Sequence, residues 1–158
     1  MIANIKMYPQ NLWIVIVLLL PNLLLIFFPA INVPAETARP SGWSIVIILE
    51  RIGQAMVFLL PLFIDMKLES SYKKYLFAFM IFAAMAYYIC WGRFFFNNRI
   101  FSLMYEKLLF IPIPMALLPV LYFLAAAVLM DSWLYGIGAA VFAVGHLLES
   151  WYVYTNII

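Results

Sequence analysis

Glu50 and Arg51 stand side by side in an apolar stretch, with Gln54 one helical turn on. His146 and Glu149 interrupt a second stretch, within GHLLESW, residues 145–151. Ionisable groups at membrane depth are expensive, and each marks a functional site by default. Histidine exchanges a proton near neutral pH, and a carboxylate orients its ring. His146, Glu149 and Glu50 are therefore the candidates for acid–base catalysis on a lipid-like substrate. Glu50, Arg51, Gln54, His146 and Glu149, joined by Arg93 and Arg99, form the candidate ligand-binding set, with the arginines meeting an anionic head group. His-x-x-Glu offers two metal ligands on one helix face and Glu50 a third. No second histidine and no nearby cysteine supports such a site, so neither a metal nor a cofactor is expected. The plainest reading is an ion-pair network that fixes helix packing. Removing one partner of a buried pair leaves the other uncompensated, at about 3–5 kcal/mol.

The rest of the chain says what must position these groups. Apolar residues make up 68% and charged residues 10% of 158 positions, against roughly 45–50% and 25% in globular domains. A soluble domain of this size cannot hide so much apolar surface. The chain reads as an all-α integral membrane protein. A soluble enzyme, a disulfide scaffold, a disordered chain and a nucleic-acid binder are excluded. Net charge of +2 suggests no polyanion partner, and the lone Cys90 permits no intrachain disulfide and reads as a buried small hydrophobe.

A membrane helix needs roughly 17–25 largely apolar residues. The expected spans cover 12–28, 43–64, 75–91, 111–130 and 133–154, in a single transmembrane domain. The first exceeds the length of a signal-peptide apolar region and reads as a retained span. Pro29 to Gly42 is an irregular loop, and Asp131-Ser132 leaves almost no loop, so the last two spans form a tight hairpin. Ile100, Leu103, Met104 and Leu108 recur at helical spacing, which predicts an amphipathic interfacial helix between spans three and four. Pro114 fits the first turn of span four. Pro119 should kink that span, and Pro21-Asn22 should kink span one. Trp13, Trp43, Trp91, Trp133 and Trp151 fall near expected span ends, as belt residues do.

The helical rise of about 1.5 Å per residue places Glu50, His146 and Glu149 at similar depth below one membrane face. Ala139 and Ala143 continue the His146 face, and Gly53 adjoins Gln54, so both faces should turn into the bundle. Glu50 and Arg51 point about 100° apart and should pair across helices. The expected pairs are Arg51 with Glu149, and Glu50 with His146, Arg93 or Arg99. Loop cations tie between the two faces: Lys6, Lys67, Lys73 and Lys74 against Arg39, Arg93, Arg99 and Lys107. The clustering of arginines on one side favours a cytoplasmic N-terminus and an external C-terminus, in a bacterial cytoplasmic membrane.

Short motifs resemble two known families. Trp91-Gly92-Arg93-Phe94-Phe95 is similar to the Trp-Ser-x-x-Phe-Phe after the third span of the translocator protein family. Phe142-Ala143 with Trp151 and Asn156 is similar to its last span. That resemblance implies five spans and a site for porphyrins or cholesterol-like ligands. The first loop reads ARPSGW and lacks the family's tryptophan-proline motif, Tyr88 occupies an asparagine position, and Glu50-Arg51 has no counterpart. Glu50-Arg51 with Pro61-Leu62-Phe63 resembles the second helix of the membrane-associated eicosanoid and glutathione enzymes, with shorter spacing and without their downstream Asn and Glu. Neither resemblance assigns the chain to a family.

The expected function is binding, sensing or translocation of a small amphipathic or lipid-like ligand at the intramembrane polar site. The alternatives are an accessory or immunity-type membrane partner, docked as a homo-oligomer or on another subunit, and an enzyme using His146 and a glutamate. The lipid bilayer is the partner common to all three.

Overall fold

The structure, a computed structural model, describes residues 6–35, 39–66 and 70–156. Lys67 lies outside them. Five helices follow one another: α1 (Trp13–Phe27), α2 (Ser44–Leu59), α3 (Ser71–Phe96), α4 (Pro114–Leu129) and α5 (Trp133–Asn156). Short 3-10 turns at Pro9–Leu12 and Leu60–Phe63 lead into α1 and continue α2. With those turns, four helices are long and apolar enough to cross a membrane: Pro9–Phe27, Ser44–Phe63, Ser71–Phe96 and Trp133–Asn156. No strand longer than an isolated bridge occurs among the described residues.

α4 is apolar but only 16 residues long. It starts at Pro114, whose missing N–H is harmless in a first turn. Left-handed φ angles at Ile113 (40°) and Asp131 (49°) bracket it. Its residues dominate the buried core, including Tyr122, Phe123, Ala126 and Leu129. α3 and α5 flank α4, and α2 packs on α5 and reaches α4 through Phe58 against Phe123. α1 touches α3.

The α2–α5 seam is built from glycines. A Cβ on Gly53 would run into the Phe142 backbone, and one on Gly145 into the Glu50 backbone. A Cβ on Gly138 would stand 2.6 Å from Met56 Cβ. Absent side chains let two antiparallel backbones approach closely, which is how membrane helices associate without a hydrophobic driving force. The glycines alternate between partners, two from α5 and one from α2, and this sets the register of Glu50 against His146.

Proline leaves the carbonyl four residues earlier without its N–H. Two of these carbonyls are recaptured by tyrosines from other helices. Pro21 frees Val17 O, which accepts from the Tyr88 hydroxyl at 2.8 Å. Pro61 frees Val57 O, which accepts from the buried Tyr135 hydroxyl at 3.3 Å. In the same way Asn11, 2% exposed, donates to Pro61 O and Ile64 O where α2 ends. The kink expected at Pro21-Asn22 thus has its loose backbone group satisfied by a neighbour.

The bundle ends differ. One end carries the Pro9–Leu12 and Leu60–Phe63 turns, joined by Tyr8 N–H to Leu62 O. It also carries a Lys73–Asp131 ion pair, reinforced by Tyr72, between the start of α3 and the α4–α5 turn. The other end carries the 29–43 loop, the segment after α3, and the end of α5. There Ile31 exchanges backbone hydrogen bonds with Arg99 O and Phe101 N.

Two expectations need correction. The amphipathic interfacial helix is replaced by a single 3-10 turn, Phe101–Met104. Left-handed backbone at Asn98, Arg99 and Leu109 prevents a helix from running through, and the Ile31 pairing takes up backbone groups a helix would need. α3 is also longer than expected at both ends, by a polar first turn and by Gly92 to Phe96. Trp91 therefore lies inside the helix rather than in an interfacial belt, and is 3% exposed.

Candidate functional site

Glu50 comes from the first half of α2 and His146 from the second half of α5. Because Gly145 abuts the Glu50 backbone, the neighbouring imidazole falls beside that carboxylate. His146 Nδ1 meets Glu50 Oε1 at 2.7 Å. The ring stacks on Phe142, centroids 4.8 Å apart and planes 16° from parallel, so its orientation is fixed on two sides. Where the ring is neutral and donates Nδ1–H to the carboxylate, its lone pair is on Nε2. That is the geometry of a base held by an orienting carboxylate.

Glu149 is engaged elsewhere. Arg39 of the 29–43 loop brings Nη1 to 2.8 Å and Nη2 to 2.7 Å of Glu149 Oε1. The Trp43 indole N–H donates to Oε2 at 2.6 Å. Tyr152 packs against Trp43 and lies under the Arg39 guanidinium. The loop is thereby pinned to the end of α5.

The expected Arg51–Glu149 pair does not form. Arg51 is exposed and donates from Nη1 to Gln54 Oε1 at 3.2 Å. Its place on α2, well round from the Gly53 seam, turns it away from α5. Arg93 does not reach Glu50. It sits in the last turn of α3 and binds Glu106 Oε2 at 2.6 Å and Lys107 O at 3.1 Å. Ser102 donates to the other oxygen of Glu106. Arg99 contributes its backbone to the Ile31 pairing. Of the expected pairs, Glu50–His146 is the one present. Among the described residues no three His, Cys, Asp or Glu side chains gather as a metal site, because Glu149 has turned to Arg39 and Trp43. Cys90 is buried.

Beside the Glu50–His146 pair lies a half-open cavity of about 210 Å³, walled by all five helices and by the segment after α3. Its apolar wall includes Leu18, Phe58 and Phe123. Its polar groups include Asn22, Gln54, Tyr87, Tyr105 and His146. Asn22 donates to the Tyr87 hydroxyl at 2.8 Å and to Leu18 O. Trp91 also lines the cavity, with its indole N–H buried and its ring edge-to-face with Tyr87.

Tyr105 belongs to the segment beyond α3. Burial, reinforced by the negative charges of Glu149 and Glu50, holds its proton above the ordinary phenol range. It therefore faces the cavity as a neutral hydroxyl. Arg39, Trp43, Tyr105 and Trp91 were not among the expected site residues. Arg39 and Trp43 are a loop cation and a span-end tryptophan, both of which are commonly solvated or interfacial. The one available signal was that two unpaired carboxylates at similar depth needed donors from the same membrane face. No family model matches the chain, and no curated protein or solved structure compared with it is similar.

Proposed function

We propose that this protein binds a small amphipathic, lipid-like molecule in the cavity between its five helices. The observation that carries the reading is a cavity walled by all five helices in which His146, Gln54 and Tyr105 stand beside the apolar Leu18, Phe58 and Phe123. The volume supports a ring-sized or head-group-sized occupant, since it exceeds the roughly 150 Å³ engineered cavity that takes up benzene. His146 Nε2, Gln54 and Tyr105 supply further contacts, and Leu18, Phe58 and Phe123 take the apolar part.

In this reading all five helices cross the bilayer. α4 is the short span, enclosed by the others and needing little lipid contact of its own. The N-terminus is cytoplasmic and the C-terminus external, in a bacterial cytoplasmic membrane. The test is native mass spectrometry of protein released from membranes without delipidation. The wild type should carry a small-molecule adduct. Ala116→Phe, which fills the cavity, and Gln54→Leu, which removes a polar group from its wall, should lose or weaken it while remaining folded. Equal spectra for all three would sink the proposal.

A further inference from the structure

Among the described residues, the hydrogen bonds that close α1 against α2 lie at one end. There, Asn11 and the Tyr8 N–H tie the turn before α1 to the turn after α2. Beyond that point each helix turns to a different neighbour, α1 to α3 and α2 to α5. Yet Leu18, Leu19 and Asn22 of α1 and Gln54 and Phe58 of α2 line the same cavity. Asn22, at membrane depth, is exposed. Arg51, Gln54 and Phe58 recur at three- and four-residue intervals and form one stripe along α2. Arg51 is the stripe's member nearest the open end, roughly 10 Å from the start of α2. It is exposed, and its side-chain hydrogen bond goes to the neutral Gln54, while the neighbouring Glu50, already bonded to His146, acts on it only through space. A guanidinium in contact with the bilayer is costly unless it reaches an anion, and its planar fork suits phosphate or carboxylate oxygens.

We infer that the cavity opens sideways into the bilayer between α1 and α2, and that Arg51 at its rim holds the anionic head group of a membrane lipid whose apolar part enters the cleft. This inference rests on the cavity being a ligand site and adds the ligand's class and route: a lipid bearing phosphate or carboxylate, arriving from the membrane rather than from water. Gln54 then bridges rim and interior, accepting from Arg51 through Oε1 while lining the cavity.

The experiment is native mass spectrometry of the full chain from nanodiscs of phosphatidylcholine alone and of phosphatidylcholine mixed with phosphatidylglycerol. A parallel sample holds inorganic phosphate with phosphatidylcholine discs. The wild type should retain one phosphatidylglycerol in preference to phosphatidylcholine. Arg51→Gln should lower that preference by about tenfold, the worth of a charge-assisted contact. Arg51→Lys, which keeps the charge, should restore part of it, and Lys74→Gln, altering an exposed cation at the opposite end of the bundle, should leave it unchanged. An adduct lost on filling the cavity with Ala116→Phe but insensitive to Arg51→Gln would overturn the lipid-anion assignment and leave the cavity reading standing. A phosphate adduct in place of lipid would overturn the membrane route. No adduct in any disc would overturn both readings.

Discussion

Replacing Gly53 by alanine should destabilise the protein far more than a methyl group ordinarily does. The new Cβ would stand 2.8 Å from Phe142 Cβ and closer still to that residue's backbone. Carbon atoms in comfortable contact lie about 3.5–4.0 Å apart, so α2 and α5 must separate by roughly 1 Å. Overpacking costs about 1–3 kcal/mol, and the upper part of that range applies because backbone cannot rotate aside. Alanine's better helix propensity returns about 0.5–1 kcal/mol. The balance is a loss of about 2 kcal/mol, or about 4–8 °C in melting temperature for a chain of this size. Gly136 is the internal control, since a Cβ there would sit 3.9 Å from Ala127 Cβ, an ordinary contact. Gly136→Ala should leave melting unchanged or raise it by a few degrees, through propensity alone. The assay is intrinsic-fluorescence melting in detergent, with size-exclusion after heating as a second readout. Equal shifts for the two variants would refute the close-contact argument.

Three further outcomes follow from the polar contacts. Tyr135→Phe should cost about 1–3 kcal/mol by stranding Val57 O, and much less in a Pro61→Ala background, where residue 61 regains the missing N–H; a double-mutant melting cycle measures the difference. His146→Phe leaves the Glu50 carboxylate half-buried and unpaired, so it should cost about 1.5–3 kcal/mol and exceed Glu50→Gln, which retains an acceptor for the imidazole; melting at neutral pH compares them. Hydrogen bonds from Lys73 and Tyr72 hold the Asp131 carboxyl below its ordinary 3.8. A depressed carboxyl stabilises the fold above that ordinary value and loses the effect as pH falls through its lowered native value. The melting difference between wild type and Asp131→Asn should therefore hold steady from neutral pH to about pH 5 and shrink below about pH 4.

The long helices were legible because continuous apolar runs have one solution in a bilayer. The Glu50–His146 contact was legible because counting residues from a shared membrane face put both at one depth. The partner of Glu149 was not legible. Arg39 lies in a loop, and loop conformation depends on contacts such as Ile31 with Arg99 that no local pattern encodes. The segment after α3 carried helical periodicity, but left-handed backbone at Asn98 and Arg99 overrode it. The prolines could be read as kinks. That Tyr88 and Tyr135 would answer them could not, because each hydroxyl arrives from a helix more than sixty residues away.

The pairing of Glu50 with His146 also has a consequence in time. The two residues are 96 positions apart in the chain. At a synthesis rate of about 5–20 residues per second, Glu50 enters the membrane roughly 5–20 s before its partner has been made. During that interval α2 depends on its own apolar character, with nothing yet to shield its carboxylate. A nascent chain that stopped short of α5 would keep that carboxylate bare, together with an open glycine seam. The synthesis of α5 therefore decides when the carboxylate of α2 gains its imidazole partner and its glycine seam is filled.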